Sequence, residues 1–212
     1  MTTLRIDVWS DIGCPWCYVG KKRLETAIAA SPHAASIELV PHSFELDATA
    51  STDPVSLPGF LAAKMGVSLA EAVRMDGHVG AMAHDEGLPY TSDRVHANSF
   101  DAHRVIHLAA EHGLANEMLG VVQRELFSGH ANVYGHAFLA DAAAGLGIPR
   151  ARAEEVLASD EFADAVHEDQ AEAGRLGVTG VPFVVVGGRY GIPGAIAVSG
   201  YTQTIERAWA EA

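Results

Sequence analysis

The chain has 212 residues, 49% of them hydrophobic and 19% charged, enough apolar content to bury a substantial core and to exclude general disorder. Its 27 Asp and Glu against 14 Lys and Arg leave a formal net charge of -13, which opposes sequence-independent attraction to nucleic-acid phosphates or anionic lipid. Only two cysteines occur, three positions apart, which excludes a structural disulfide framework and leaves redox chemistry or half of a metal site.

The first ten residues, MTTLRIDVWS, show no basic start followed by an apolar stretch and a small-residue cleavage site, and no apolar run is long enough to span a bilayer. The expectation is a cytoplasmic protein with no membrane partner. Leu4, Ile6 and Val8 alternate with Arg5, Asp7 and Trp9, a period of two that predicts a strand ending near Ser10. Pro15 then suits a first helical turn, and Val19, Leu24, Ala27 and Ile28 supply an apolar face as far as Pro32. Ser36 to Phe44 reads as a second strand, completing a right-handed β-α-β unit with parallel strands.

A Pro/Ser/Thr/Asp-rich stretch from Ala48 to Pro58 marks a junction. From Gly59 to about Arg175 the pattern is helical, with a capping box at Ser68-Leu69-Ala70-Glu71 and periodic segments opening at Phe100, Ala115, Ala137, Arg150 and Glu161. Strand character returns at Val181 to Val186, turns at Gly187-Gly188, and is followed by a short strand through Arg189, Tyr190 and Gly191 and a helix around Thr202 to Ala210. The expected class is α/β, a sheet domain formed by residues 1–55 and 176–212 with a large all-helical insertion at 56–175.

Cys14-Pro15-Trp16-Cys17 sits where the first strand gives way to the first helix, and cysteines at i and i+3 across a first turn can be bridged without large backbone movement. Free N–H groups and the positive helix end favour a thiolate at Cys14; cysteines so placed have pKa values of roughly 3.5–7.5 in place of about 8.5. Cys14 is the expected nucleophile and Cys17, one turn deeper, the resolving thiol. Lowering a thiol pKa from about 8.5 to about 5 raises the thiolate fraction near neutrality roughly thirtyfold, but a Brønsted slope near 0.45 cancels that gain. The benefit is a better leaving group and a more oxidising disulfide than that of thioredoxin. The competing zinc reading would need some of the 11 histidines, of which His103 and His107 stand four apart, but there is no second Cys-x-x-Cys to complete a four-ligand set. No metal is expected.

Together with Asp11 before the dithiol, Asn98-Ser99-Phe100-Asp101-Ala102-His103 and Gly177-Val178-Thr179-Gly180-Val181-Pro182-Phe183, the Cys14-Pro15-Trp16-Cys17 motif resembles the DsbA family, most closely its FrnE-like cytosolic branch, over essentially the whole chain. The resemblance implies a thioredoxin-like fold, a cis peptide bond before Pro182, and a Val181–Pro182 segment facing the dithiol. Independently, a third strand antiparallel to the first brings Val181 and Pro182 to the sheet edge that carries Cys14. A cis bond there would leave the Val181 N–H and C=O free to pair with an extended peptide. The resemblance further implies thiol or disulfide substrates, no tightly bound cofactor, glutathione as a cosubstrate, and a place in polyketide or redox-stress metabolism. Related glutathione-dependent isomerases and transferases typically carry serine at the position of Cys14, so two cysteines favour dithiol exchange over that alternative; a peptide-holding chaperone is the non-enzymatic alternative.

Secondary candidates divide between function and structure. Asn98 and Ser99 match a family stretch that approaches the active site, while Ser99 is also well placed to cap the helix that begins at Phe100. Trp16 offers an apolar surface to substrate. Asp11 is a candidate proton relay, His42 a candidate base for Cys17, and Lys21, Lys22 and Arg23 a candidate carboxylate-attracting cluster, each set against an ordinary solvated or satisfied polar role.

Overall fold

The computed structural model describes residues 3–130 and 132–212; Met1 and Thr2, with which the segment read for a leader begins, lie outside them. The chain divides into two compact units, Met1–Leu46 with His167–Ala212, and Asp47–Val166. The sequence places the breaks at 55/56 and 175/176. The whole Ala48–Pro58 stretch belongs instead to the second unit, tied in by Asn98, whose N–H donates to Ser51 O at 2.9 Å and whose Nδ2 donates to Ala48 O at 3.3 Å. At the other break a single helix runs uninterrupted across 166/167, so composition marks nothing there.

The first unit is built on β1 (Leu4–Ser10), α1 (Pro15–Ala30) and β2 (Ile37–Ser43). It closes with the later part of a long helix, then a hairpin and a last helix. The second unit holds a two-residue strand, β3 (Val55–Ser56), then α2 (Leu57–Met65) and α3 (Leu69–Asp85), and a second short strand, β4 (Val95–His96). These are followed by α4 (Phe100–Glu111), α5 (Ala115–Phe127), α6 (His136–Gly145) and α7 (Arg150–Leu157). The bridging helix is α8 (Ala163–Arg175), and β5 (Phe183–Val186), β6 (Tyr190–Pro193) and α9 (Val198–Ala210) complete the chain.

The sheet order is β2-β1-β5-β6, with β1 parallel to β2 and antiparallel to β5. The period-two pattern of β1 sends Leu4, Ile6 and Val8 into an apolar core with Leu24 and Ala27 of α1, Val184 and Val186 of β5, and Tyr201 and Ile205 of α9. The opposite register carries Asp7 and Trp9. Trp9 is buried with Ala173 and Val178, and Val181, Phe183 and Val185 pack against that cluster.

The insertion departs from an all-helical reading by the β3–β4 ladder, whose two-residue strands are too short to show a period. Ser68 caps α3 by accepting the Glu71 N–H at 3.2 Å, while the Glu71 carboxylate pairs with Arg74. Helix α8 opens at Ala163, two residues after the expected Glu161, because Phe162 has a left-handed φ of 62° that no helix can continue through. Among the described residues no helix is long and apolar enough to cross a membrane.

Candidate active site

Strand β1 ends at Ser10 and the turn through Asp11 to Gly13 delivers Cys14 to the N-cap of α1, with Pro15 following. There Cys14 has φ -80° and ψ 113°, and its Sγ accepts the Cys17 N–H at 3.4 Å, as a serine oxygen would at the same position. Its own N–H donates to Asp11 O at 3.3 Å. The Cys14 thiol in turn donates to Val181 O at 3.5 Å. The antiparallel register of β1 and β5, Trp9 opposite Phe183, brings that carbonyl to the same sheet edge.

The Val181–Pro182 bond is cis, and Pro182 O accepts the Gly194 N–H at 2.8 Å. Helix α1 comes so close that a Cβ on Gly20 would lie 3.1 Å from Pro182 Cγ and 3.2 Å from Ala195 Cβ. A glycine at this position is what lets the first helix meet the proline.

Both thiols are unbridged and almost fully buried, Cys14 at 3% and Cys17 at 1% exposure, so depth alone does not distinguish them. Burial pushes the Cys17 thiol well up, reinforced by its hydrogen bond to Cys14 and by the charge of that sulfur; the Asp11 backbone and Ser10 side chain counter only part of this. The Asp11 carboxylate accepts the Leu46 N–H at 2.8 Å, anchoring the segment after β2. Trp16, between the two cysteines, is 39% exposed and presents an apolar surface.

His42 has both ring nitrogens engaged, Nδ1 with Asp169 at 2.6 Å and Nε2 with Asp7 at 2.8 Å, and its ring is stacked on Trp9. Neither nitrogen is left to take a proton from Cys17, which corrects the base role. Burial alone would lower the His42 pKa, but the hydrogen bonds and charges of the two carboxylates outweigh it and raise the group from 6.5 to about 9. Lys21 of the basic cluster pairs with Glu25.

Asn98 and Ser99 belong to the second unit. The capping expectation is corrected there: Ser99 stands at the N-cap of α4 but makes no capping bond, and it is Asn98 Oδ1 that accepts the Phe100 N–H at 2.9 Å. Asparagine reaches the amide two residues on in an Asx turn, a competition that sequence position alone does not decide. Asn98 also lines a cavity of about 260 Å³ with Asp53, Asp101 and His136. Among the described residues no group of three or more His, Cys, Asp and Glu side chains is arranged to hold a metal ion.

Sequence reasoning missed Trp9, Asp169 and Phe183 as the support beneath Val181. One signal was present: a large aromatic on the polar register of β1 implies that the second sheet face is also covered.

A family model for the DSBA-like thioredoxin domain matches residues 5–206. The chain belongs to the DsbA-like thioredoxin-domain family. This is a family of thioredoxin-fold oxidoreductases. Among solved structures, the DsbA-like chain is similar to a probable DsbA oxidoreductase from Streptomyces coelicolor, with 41% identity, 99% of this chain and 91% of the other covered, and a TM-score of 0.93. It shares its fold with the cytosolic disulfide reductase DsbM of Pseudomonas aeruginosa, at 19% identity, coverage of 98% and 100%, and a TM-score of 0.67. It shares the fold also with a 2-hydroxychromene-2-carboxylate isomerase, at 16% identity, coverage of 98% and 95%, and a TM-score of 0.68. A comparison with curated proteins finds no match.

Proposed function

We propose that this DsbA-like chain exchanges thiols and disulfides through Cys14 and Cys17, with Val181 and Pro182 forming the peptide-facing wall and Trp16 the apolar lip of the site. The observation that carries the reading is the Cys14 sulfur at a helix N-cap, accepting a backbone N–H at 3.4 Å and facing the Val181 carbonyl at 3.5 Å. A helix start stabilises a sulfur anion, both as attacking group and as leaving group.

In the reductive direction the Cys14 thiolate attacks one sulfur of a substrate disulfide, forming a mixed disulfide and releasing the other sulfur as a thiolate that takes up a proton. Cys17 then loses its proton and attacks Cys14 Sγ, the Cys14–Cys17 bond forms, and the second substrate thiolate departs. The substrate gains two electrons and the dithiol loses two. The raised pKa of Cys17 gives this sequence its order. Once Cys14 is bonded to substrate, its charge no longer opposes ionisation of Cys17, and the resolving thiol becomes easier to ionise when it is needed.

Glutathione is the proposed cosubstrate that returns the dithiol to its starting state, in a cytoplasmic setting. Protein disulfides and small disulfides, including those of polyketide or redox-stress metabolism, are the proposed substrates.

The test is a titration of the purified protein in glutathione buffers with thiol trapping. A single two-electron transition above the thioredoxin value of about -270 mV is expected. Cys17→Ser should accumulate a mixed disulfide with glutathione and Cys14→Ser should form none. Failure of the unaltered chain to form an intramolecular disulfide would sink the reading and favour a glutathione-dependent isomerase or transferase.

A further inference from the structure

We infer that Trp9 is a positioning residue for the Cys14 chemistry, holding the Val181–Pro182 segment where its carbonyl meets the sulfur; the inference rests on the dithiol reading above. Trp9 is 3% exposed and is fixed on several sides. Its indole N–H donates to Asp169 O of α8 at 3.0 Å. One ring face stacks on His42, with centroids 4.5 Å apart and planes 14° apart, and Phe183 lies tilted against it at 6.4 Å. Val181 packs against the same cluster, and its carbonyl accepts from Cys14.

The anchors of Trp9 are themselves held. His42 is bonded to Asp7 and Asp169 on either side, and the second oxygen of Asp169 accepts the Ser43 N–H at 2.7 Å. Two carboxylates facing the two ring nitrogens require both nitrogens to carry protons, so the ring is an imidazolium with a fixed orientation. Strand β2, strand β1 and helix α8 thus meet on one aromatic side chain, and that side chain supports the residue that faces the nucleophile. The ring also borders a cavity of about 370 Å³ that Arg5, Asp7, His42 and Glu172 line. Close packing therefore does not hold Trp9 on that side, and its orientation depends on the indole hydrogen bond and the His42 stack.

A cluster that served folding alone would affect stability without changing how the folded site treats different reagents. The discriminating experiment compares two reactions of the full chain: exchange with an extended peptide disulfide, which uses the Val181 wall, and alkylation of Cys14 by iodoacetamide, which does not. Trp9→Phe keeps an aromatic ring and removes the N–H donor. It should raise KM for the peptide disulfide roughly tenfold while the alkylation rate changes by less than about twofold. His42→Gln should move both readouts in the same directions by a smaller factor, and it decides the matter if Trp9→Phe does not fold. Unchanged peptide exchange in a folded variant, or a fall merely proportional to the fall in alkylation, would overturn the role of Trp9. An unaltered chain that is alkylated yet exchanges no peptide disulfide would overturn the dithiol reading itself, before any variant is compared.

Discussion

Each unit buries a cluster of opposite charges around a carboxylate, and these two are built differently. In the second unit the Arg94 guanidinium meets both carboxylate oxygens of Asp76, at 2.8 and 2.9 Å, with Tyr90 and Ser92 adding hydroxyl donors to the same carboxylate. The guanidinium also lies over the rings of Tyr90 and Phe127, 4.7 and 4.6 Å from their centroids. In the first unit the cation is the imidazolium of His42 between Asp7 and Asp169. Arginine cannot lose its proton at any pH the fold survives, whereas histidine can. The first cluster described is a permanent clamp between α3 and the segment before β4; the other ties the sheet to α8 only while the ring stays protonated.

The sharpest way to break the comparison is Arg94→Met, which keeps side-chain volume and strands Asp76. The side chains of Arg94 and Asp76 are 2% and 4% exposed, so the variant should lose about 3–5 kcal/mol in urea denaturation. Adding Asp76→Leu to it should recover most of that loss, since a well-packed apolar pair can replace a buried ion pair. A double variant as unstable as the single one would show that the charges, not the filled space, hold that corner.

The second prediction concerns pH. The His42 pKa is raised by folding, so its contribution is fully present below about pH 6.5 and is lost as the pH rises through about 9. Its size is on the order of 2–3 kcal/mol, its side chain being 16% exposed. Asp7 works in the opposite sense: its pKa is lowered from 3.8, since the hydrogen bonds from His42 and Arg5 overcome the effect of burial, and its contribution is lost on acidification. Cys17, raised from 9.0, destabilises the fold only above about pH 9. Urea midpoints should therefore fall between pH 6.5 and 8.5 in the unaltered chain and stay flatter in His42→Gln. Parallel slopes for the two proteins would remove His42 from the pH dependence.

The smallest stability effect should come from Gly20→Ala, outside both clusters. Alanine gains about 1 kcal/mol of helix propensity but puts a Cβ 3.1 Å from Pro182, a crowding cost of about 1–3 kcal/mol. Near cancellation in stability with slower peptide-disulfide exchange is expected, read by urea midpoint and exchange rate together. A variant equally stable and equally fast would show that Pro182 can yield to α1 freely.

Much of the first unit was legible because its signals are local. Alternation in β1, Pro15 after Cys14, and the short run at Val184 to Val186 each state a backbone preference within a few residues, and the β-α-β rule converts them into a sheet. The edge shared by Cys14 and Val181 follows from strand direction alone. Charge partners were not legible: Asp7 and Asp169 are 162 positions apart, and nothing near either names His42 as what lies between them. The same holds for Arg104, buried and donating to Glu161 O at 2.8 Å and to the carbonyls of Val156, in the last turn of α7, and Ser159, just after it, with no local sign of that task. Even the local competition between Asn98 and Ser99 to cap α4 was settled by backbone geometry that residue identity does not fix.

The sequence by itself determined where the dithiol sits, which sulfur stands at the helix start, and which strand edge brings Val181 to it, because period, helix-start signals and strand direction are properties of short segments. Only the tertiary structure decided what holds that edge in place. Trp9, His42 and Asp169 are brought together by long-range packing, where burial makes each unfilled donor or acceptor costly and so selects partners that spacing along the chain cannot reveal.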